Sequence, residues 1–118
     1  MANYKDLKVW QISMDLVVDV YSVISNFPQV ERFALSDQIR RCSVSIPSNI
    51  AEGAGRNHTK EFVQFLSVSL GSLYELQTQL EIAKRVGYIA NIQELDNKTL
   101  EIEKMLNALI SSIKKGTQ

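Results

Sequence analysis

Apolar residues recur every three or four positions over four long segments of this chain, and short polar, glycine-containing or proline-containing connections separate the segments. This spacing places the apolar side chains on one face of an α-helix, whereas a half-buried strand would alternate with a period of two. Helices joined by short connections pack as antiparallel neighbours. The pattern therefore predicts an all-α protein, an antiparallel up-down-up-down four-helix bundle that forms a single domain over residues 1–118.

The predicted helices run from about Lys5 to Asn26, from near Glu31 to Gly53 and Gly55, from Lys60 to about Val86, and from about Ile92 to Lys115. Ser36 is the alternative start of the second helix. For the first helix, the stripe expected to face the core is Leu7, Trp10, Met14, Val17, Val18, Tyr21 and Ile24, and the residues that widen it are Val9, Leu16, Val20 and Val23. A helix that is apolar over more than half of its circumference needs a second partner besides the core. We therefore expect the protein to oligomerise.

The third and fourth helices have more regular apolar faces. The core positions expected in the third are Phe62, Phe65 or Leu66, Ser69, Leu73, Leu76, Leu80 and Ala83, and those in the fourth are Ile92, Leu95, Thr99, Ile102, Leu106, Leu109 and Ile113. Thr59 is a candidate N-cap and Gly87 a candidate C-cap of the third helix. Gly71 lies inside that helix, where glycine costs about 1 kcal/mol relative to alanine. We therefore expect another helix to approach closely at Gly71.

The second segment keeps its helical spacing although Pro47 lies near its middle. Proline cannot donate a hydrogen bond to the carbonyl four residues earlier, here that of Ser43, and its ring crowds that carbonyl. Nearby serine hydroxyls can satisfy the backbone groups that are freed. One kinked helix is the favoured interpretation, and two helices with Pro47 at the first position of the second is the alternative.

The same segment resembles the signature of the four-helix-bundle proteins encoded in intervening sequences of bacterial 23S rRNA genes. The matching stretches are Gln38–Arg41, Ser45–Gly53 and Gly55–Arg56, with further matches at Leu7–Gln11, Phe27–Pro28, Glu31–Phe33, Glu61–Phe62, Phe65–Leu66, Gly71–Ser72, Glu75–Leu76 and Gly87–Tyr88. The resemblance runs from about Tyr4 to Tyr88. It implies a four-helix bundle that assembles into a ring, expected to be a homopentamer. The family is also similar to the accessory proteins of diversity-generating retroelements, which are basic bundles thought to bind nucleic acid.

Charge argues against a dedicated nucleic-acid binder, because Lys+Arg and Asp+Glu are both 13 and the formal net charge is zero. Contacts with phosphate supply much of the affinity for nucleic acid, so binding to RNA or DNA needs a local basic patch or one built by assembly. The candidate contact residues are the polar members of the signature and a nearby lysine: Arg40, Arg41, Asn49, Glu52, Arg56 and Lys60.

Two interpretations of these residues stay open. In the first they pair with Asp37, Glu61 or Glu75 and fix the register of the helices, and Asp37 and Arg41 already have the four-residue spacing of a helical ion pair. In the second, Arg40, Arg41 and Arg56, with Lys60 and His58 nearby, form a basic strip that binds phosphate.

Catalytic chemistry finds little support in the composition. The chain has one histidine and one cysteine, Cys42, and neither zinc-ligand spacing nor the Glu-x-x-His motifs of di-iron bundles occur. We therefore expect no enzyme activity, no metal and no cofactor. No apolar run approaches the ~20 residues that span a bilayer, and the N-terminus lacks the features of a signal peptide. A cytoplasmic protein without membrane contact is expected. It associates with RNA or DNA as a ring-shaped homo-oligomer, or it serves as a protein–protein interaction scaffold or accessory subunit without nucleic acid.

Overall fold

A computed structural model describes residues 3–116. Over these residues the chain forms four α-helices and two short 3-10 helices and has no strand: α1 (Lys8–Ile24), α2 (Leu35–Ala54), α3 (Thr59–Arg85) and α4 (Gln93–Gly116), with 3-10 turns at Tyr4–Asp6 and Gln29–Glu31. α1 packs against α2 and α4, and α3 packs against the same two helices. The predicted all-α four-helix bundle is confirmed.

Polar contacts between α2 and α3 show how these two helices run. The Ser69 hydroxyl donates to the carbonyl of Ile46 at 2.9 Å, and the hydroxyls of Ser45 and Ser72 lie 2.9 Å apart. Ser45 precedes Ile46 in α2, whereas their partners Ser72 and Ser69 follow the reverse order in α3. The two helices are therefore antiparallel. The up-down order of the whole bundle stays a prediction.

α2 is one helix that continues through Pro47, so the alternative of two helices is wrong. Side chains donate to the carbonyls of the turn around the proline: Ser48 Oγ to Val44 at 2.8 Å, Asn49 Nδ2 to Ser45 at 2.8 Å, and Ser69 Oγ to Ile46. Two of these three donors come from α2 itself and one from α3. Polar side chains thus form hydrogen bonds to the backbone around Pro47, as expected. The Ser43 hydroxyl is not one of them, because it donates to the carbonyl of Arg40. The kink stays a prediction.

The expected core stripe of α1 is wrong in its rotation. The buried residues of α1 are Val9, Ser13, Leu16 and Val20, three of which were expected only to widen the stripe. Met14, Val18 and Tyr21 are instead 40%, 67% and 46% exposed. Because α1 is apolar on two sides, periodicity alone did not decide which side faces the bundle. The surplus apolar face expected on this helix exists, but residues that were expected to face the core form it.

The expected cores of α3 and α4 are confirmed. Every predicted core position of α3 is buried except Phe65, which is partly buried beside Leu66. In α4 the predicted core positions from Leu95 to Leu106 are buried, whereas Leu109 and Ile113 are only partly buried. Lys98 of α4 also forms an ion pair with Asp19 of α1, and this contact raises the pKa of Lys98.

The turn after α3 ends the helix as expected. Gly87 has a φ of +88°, a conformation that favours glycine, and Tyr88 donates its N–H to the carbonyl of Ala83 at 2.8 Å. The expected N-cap is wrong, because Thr59 is the first helical residue and His58 takes the cap position without a side-chain hydrogen bond.

Glu31 joins the two connections at this end of the bundle. The expected start of α2 near Glu31 is wrong, because Gln29–Glu31 forms a separate 3-10 turn and α2 begins at Leu35. One oxygen of Glu31 accepts the Leu35 N–H at 3.3 Å, and the other accepts the Tyr88 hydroxyl at 2.8 Å. The hydrogen bond to Glu31, with burial, raises the pKa of Tyr88.

The close helix approach expected at Gly71 occurs instead at Gly53. A Cβ added at Gly53 would lie 2.6 Å from Phe65 Cβ and 3.0 Å from Phe62 Cδ1, whereas a Cβ at Gly71 would meet nothing within 4 Å. α3 therefore packs directly on the backbone at the end of α2, and only glycine fits there without displacing a phenylalanine.

These two glycines make a matched pair for mutation. We expect Gly53→Ala to lower the free energy of unfolding by about 1–3 kcal/mol, because the methyl group overpacks the contact with Phe65. Gly71→Ala should raise the free energy of unfolding by about 0.5–1 kcal/mol, because it removes a helix-interior glycine at an exposed position. Urea denaturation of both variants measures the difference. A Gly53→Ala variant as stable as the parent would contradict the assigned contact.

Candidate nucleic-acid interface

Two of the candidate arginines share one carboxylate near the start of α2. Arg41 Nε lies 2.9 Å from Asp37 Oδ2, and the Arg40 guanidinium binds the other oxygen of Asp37. The predicted pair of Asp37 and Arg41 is confirmed. Because two guanidinium groups face a single carboxylate, this cluster keeps one positive charge. We call Asp37, Arg40 and Arg41 the arginine cluster.

Asp37 and Arg40 of the arginine cluster both keep their charge at neutral pH. Burial tends to raise the pKa of Asp37, but the hydrogen bonds and charges of Arg40 and Arg41 outweigh it and lower that pKa below its ordinary value. The neighbouring Tyr21 and then Asp37 raise the pKa of Arg40. The side chain of Arg41 is 75% exposed, so it can reach a ligand in solvent.

Arg56 lies in a different environment. Its guanidinium is 3.0 Å from Glu52 Oε1 and 3.9 Å from Glu61 Oε2, and it lies over the ring of Phe65 at 5.1 Å. Two carboxylates on one arginine make this cluster negative overall. Arg56 joins the end of α2 to the start of α3, as the structural interpretation expected.

The structure does not bring the candidate cations into one strip. Arg41 and Arg56 are separated by fifteen positions in the sequence, which corresponds to roughly 20 Å along a helix axis. Lys60 is exposed in the first turn of α3 and belongs to the end near Arg56. The predicted strip joined Arg40 and Arg41 to Arg56 and Lys60, and this separation along the axis places the two pairs at different ends of α2.

Asn49 has a structural position. Its Nδ2 group donates to the carbonyl of Ser45 at 2.8 Å and to the Ser45 hydroxyl at 3.0 Å. The Ser45 hydroxyl in turn contacts Ser72 of α3. Asn49 is partly buried in this network and supports the contact between α2 and α3.

Sequence reasoning missed a surface cavity beside the arginine cluster. The cavity has a volume of about 350 Å³ and lies at the connection between α1 and α2, where Arg32, Ser36 and Arg40 form part of its wall. Arg32 lies over the ring of Phe33 at 5.3 Å, and Phe33 is 86% exposed. The sequence signal was the stretch Glu31–Phe33, where Arg32 lies beside an aromatic residue in the connection between α1 and α2.

Metal binding and membrane crossing find no support in the part of the chain that the structure describes. No group of three or more histidine, cysteine, aspartate or glutamate residues there could hold a metal ion. Burial and then the hydrogen bond to Glu75 raise the pKa of the Cys42 thiol, which lies 3.4 Å from a Glu75 oxygen. Within residues 3–116, the helices also lack the combination of length and apolarity that crossing a membrane requires.

Comparison with known proteins agrees with the resemblance seen in the sequence. A family model described as "23S rRNA-intervening sequence protein" matches residues 5–108. The chain belongs to the 23S rRNA-intervening sequence protein family. A crystal structure of a protein of unknown function from the S23 ribosomal protein family of Bacteroides thetaiotaomicron is similar to this intervening-sequence protein, with 27% identity and a TM-score of 0.80. The match covers 87% of this chain and 95% of that chain. A comparison with curated proteins gave no match.

The protein also exposes an apolar groove between α1 and α2. The groove has a volume of about 320 Å³, and Trp10, Met14 and Val17 of α1 line it opposite Val44 and Pro47 of α2. This surface is the surplus face of α1. It provides a second candidate interface, apart from the arginine cluster.

A substitution at Asn49 separates its structural role from ligand contact. We expect Asn49→Ala to lower the free energy of unfolding by about 1 kcal/mol, because a partly buried hydrogen-bonding group is lost. The control Asn107→Ala, at an exposed position of α4, should leave stability unchanged or raise it by a few tenths of a kcal/mol. Thermal denaturation followed by circular dichroism measures both. Equal stability of the two variants would remove the assigned role of Asn49.

Proposed function

We propose that this protein has no catalytic activity and associates with RNA in the cytoplasm as a homo-oligomer, through the end of the bundle that carries the arginine cluster. The observation that carries the proposal is the local charge. Arg32, Arg40 and Arg41 lie near this end, while the acids Glu31 and Asp37 already have both carboxylate oxygens engaged. These five side chains together carry one net positive charge, in a protein that is neutral overall.

Assembly strengthens this proposal. A single excess charge gives weak attraction to phosphate, but several copies in one oligomer present the same charge repeatedly to one strand. The surplus apolar face of α1 supports self-association, because Val18 is 67% exposed and Met14 and Tyr21 lie on the same side of the helix. A ring, as the family resemblance implies, would place equivalent arginine clusters around one axis.

Titration of labelled single-stranded RNA at ~50 mM salt, followed by fluorescence anisotropy, tests the proposal. We expect the double variant Arg40→Ala/Arg41→Ala to weaken binding by about tenfold or more, because two charge-assisted phosphate contacts are lost. Asp37→Asn should tighten binding, since it removes the carboxylate that competes with phosphate for both arginines. The dependence of affinity on salt should become shallower in the double variant.

The control for this titration is Lys60→Ala/Lys104→Ala, which removes the same number of charges elsewhere on the surface. Its affinity should stay within about twofold of the parent. Absence of RNA binding by the parent at low salt would overturn the proposal. If the double variant and the control lost equal affinity for RNA, binding would be general electrostatic attraction. The arginine cluster would then not be the interface.

A protein–protein interaction scaffold is the second candidate, and the groove between α1 and α2 favours it. Apolar surface of this kind marks a binding site for protein rather than for phosphate. A stable oligomer that co-purifies with another protein but binds no RNA would establish this function in place of the first.

Light scattering of a matched pair tests the role of the apolar face. We expect Val18→Glu to dissociate the oligomer, because a charge enters the surplus face of α1. Val68→Glu places the same charge on α3, at a position that is 52% exposed, and it should leave the oligomer intact. An unchanged molar mass in Val18→Glu would show that α1 is not the surface of assembly.

A further inference from the structure

We propose that Phe33 is a stacking platform for an unpaired nucleobase, so that the end of the bundle with the arginine cluster binds single-stranded RNA in preference to duplex RNA. This inference rests on the proposed function and names the class of RNA that the same site takes. Phosphate contacts alone position a strand and do not select unpaired bases. An exposed aromatic ring beside the arginines can make that selection.

The exposure of Phe33 is the first observation. Phe33 is 86% exposed and Val30 is 81% exposed, and no other large apolar residue in the described part of the chain exceeds 67%. Both lie in the connection between α1 and α2, Val30 within the 3-10 turn and Phe33 shortly before α2 begins. The Phe33 ring therefore adds little to the core, and most of its surface is open to a ligand.

Arg32 places a positive charge against this ring. Its guanidinium lies over the Phe33 ring, 5.3 Å from the ring centroid, which is the geometry of a cation–π contact. Among residues 3–116, Arg32 forms no ion pair with a carboxylate. A base can stack on the exposed part of the ring while the phosphate of its nucleotide contacts the guanidinium.

One cavity joins the platform to the arginine cluster. Arg32, Asp37 and Arg40 all line the cavity of about 350 Å³ at the connection between α1 and α2. Arg40 and Arg41 already engage both oxygens of Asp37, so this acid is balanced within the cluster. A strand whose phosphates contact the arginine cluster can therefore extend past the cavity to Arg32 and place a base on Phe33.

Base pairing decides which RNA this arrangement accepts. In a duplex the faces of each base are covered by its neighbours in the stack, whereas an unpaired base can turn outward and stack on an aromatic ring. Charge alone favours the opposite choice, because a duplex carries phosphate at a higher density than a single strand. A preference for single-stranded RNA would therefore report the aromatic ring and not the arginines.

Fluorescence anisotropy with a short labelled RNA strand, alone or annealed to its complement, tests the inference. We expect the parent to bind the single strand about fivefold or more tightly than the duplex. Phe33→Ala should weaken single-strand binding by about fivefold or more and leave duplex binding unchanged, because it removes stacking and no charge. Phe33→Trp should bind at least as tightly as the parent, since it keeps an aromatic face. Tyr74→Ala, on α3 at a position that is 44% exposed, is the matched control and should bind like the parent.

The salt dependence of binding separates this inference from the proposed function. Phe33→Ala should lower the affinity without changing the salt dependence, whereas Arg40→Ala/Arg41→Ala should make it shallower. Full single-strand binding by Phe33→Ala, with loss in the arginine double variant, would overturn the platform and leave the proposed function standing. Loss in Phe33→Ala with no effect of the arginine double variant would uphold the platform while the proposed function failed.

Two further measurements exclude other roles for this ring. Phe33→Leu keeps apolar bulk without an aromatic face, and single-strand binding equal to that of the parent would overturn stacking in favour of simple apolar contact. Light scattering of Phe33→Ala should give the molar mass of the parent. A lower mass would assign Phe33 to a contact between copies of the chain and would overturn the inference.

Discussion

The close contact between α2 and α3 is the constraint on which the rest of the molecule depends. Gly53 allows the backbone of α2 to meet Phe62 and Phe65 directly, and the Ser69 hydroxyl fixes the two helices again at Ile46. Because the phenylalanines of α3 contact the backbone of α2, sliding one helix along the other would cause a steric clash and not leave a gap. This pair then presents its remaining faces to α1 and α4, and it determines which polar residues of α2 remain at the surface.

Much of the fold could be predicted because α3 and α4 each have one apolar face. Leu73, Leu76 and Leu80 continue the three–four spacing that begins at Phe62 and Leu66, so periodicity indicates their direction even though α3 also exposes Val68, Tyr74 and Ile82. α1 has two apolar faces, and its correct rotation depends on what the neighbouring helices offer. The buried Ser13 adds to the ambiguity, since a polar residue in the core face reduces the signal from that side. The glycine at a close contact also has no local signature, which is why Gly71 and Gly53 could not be distinguished from sequence.

Of the predicted polar contacts, the ion pair between Asp37 and Arg41 could be predicted from sequence, whereas the charge balance around the other arginines could not. The pairing of Arg41 with Asp37 follows from local helix geometry, whereas the additional pairing of Arg40 makes one carboxylate serve two cations. Glu52 already pairs with Arg56 four residues away, and Glu61 of the next helix adds a second carboxylate that makes this cluster negative. Contacts of this kind depend on the packing of α2 against α3, so a reading of single helices could not reveal that one arginine group keeps excess charge and the other loses it.

Glu31 gives the bundle a mechanical link between two connections that are far apart in sequence. Its carboxylate receives the Tyr88 hydroxyl from the connection after α3 and the first N–H of α2, and the ring of Tyr88 lies 5.3 Å from that of Phe27. The turn at Gly87 and the start of α2 therefore share one carboxylate, although they make no direct contact in this network. Sequence changes in the loop between α3 and α4 can therefore alter the surface around the start of α2 during evolution, even when no arginine in that surface is substituted.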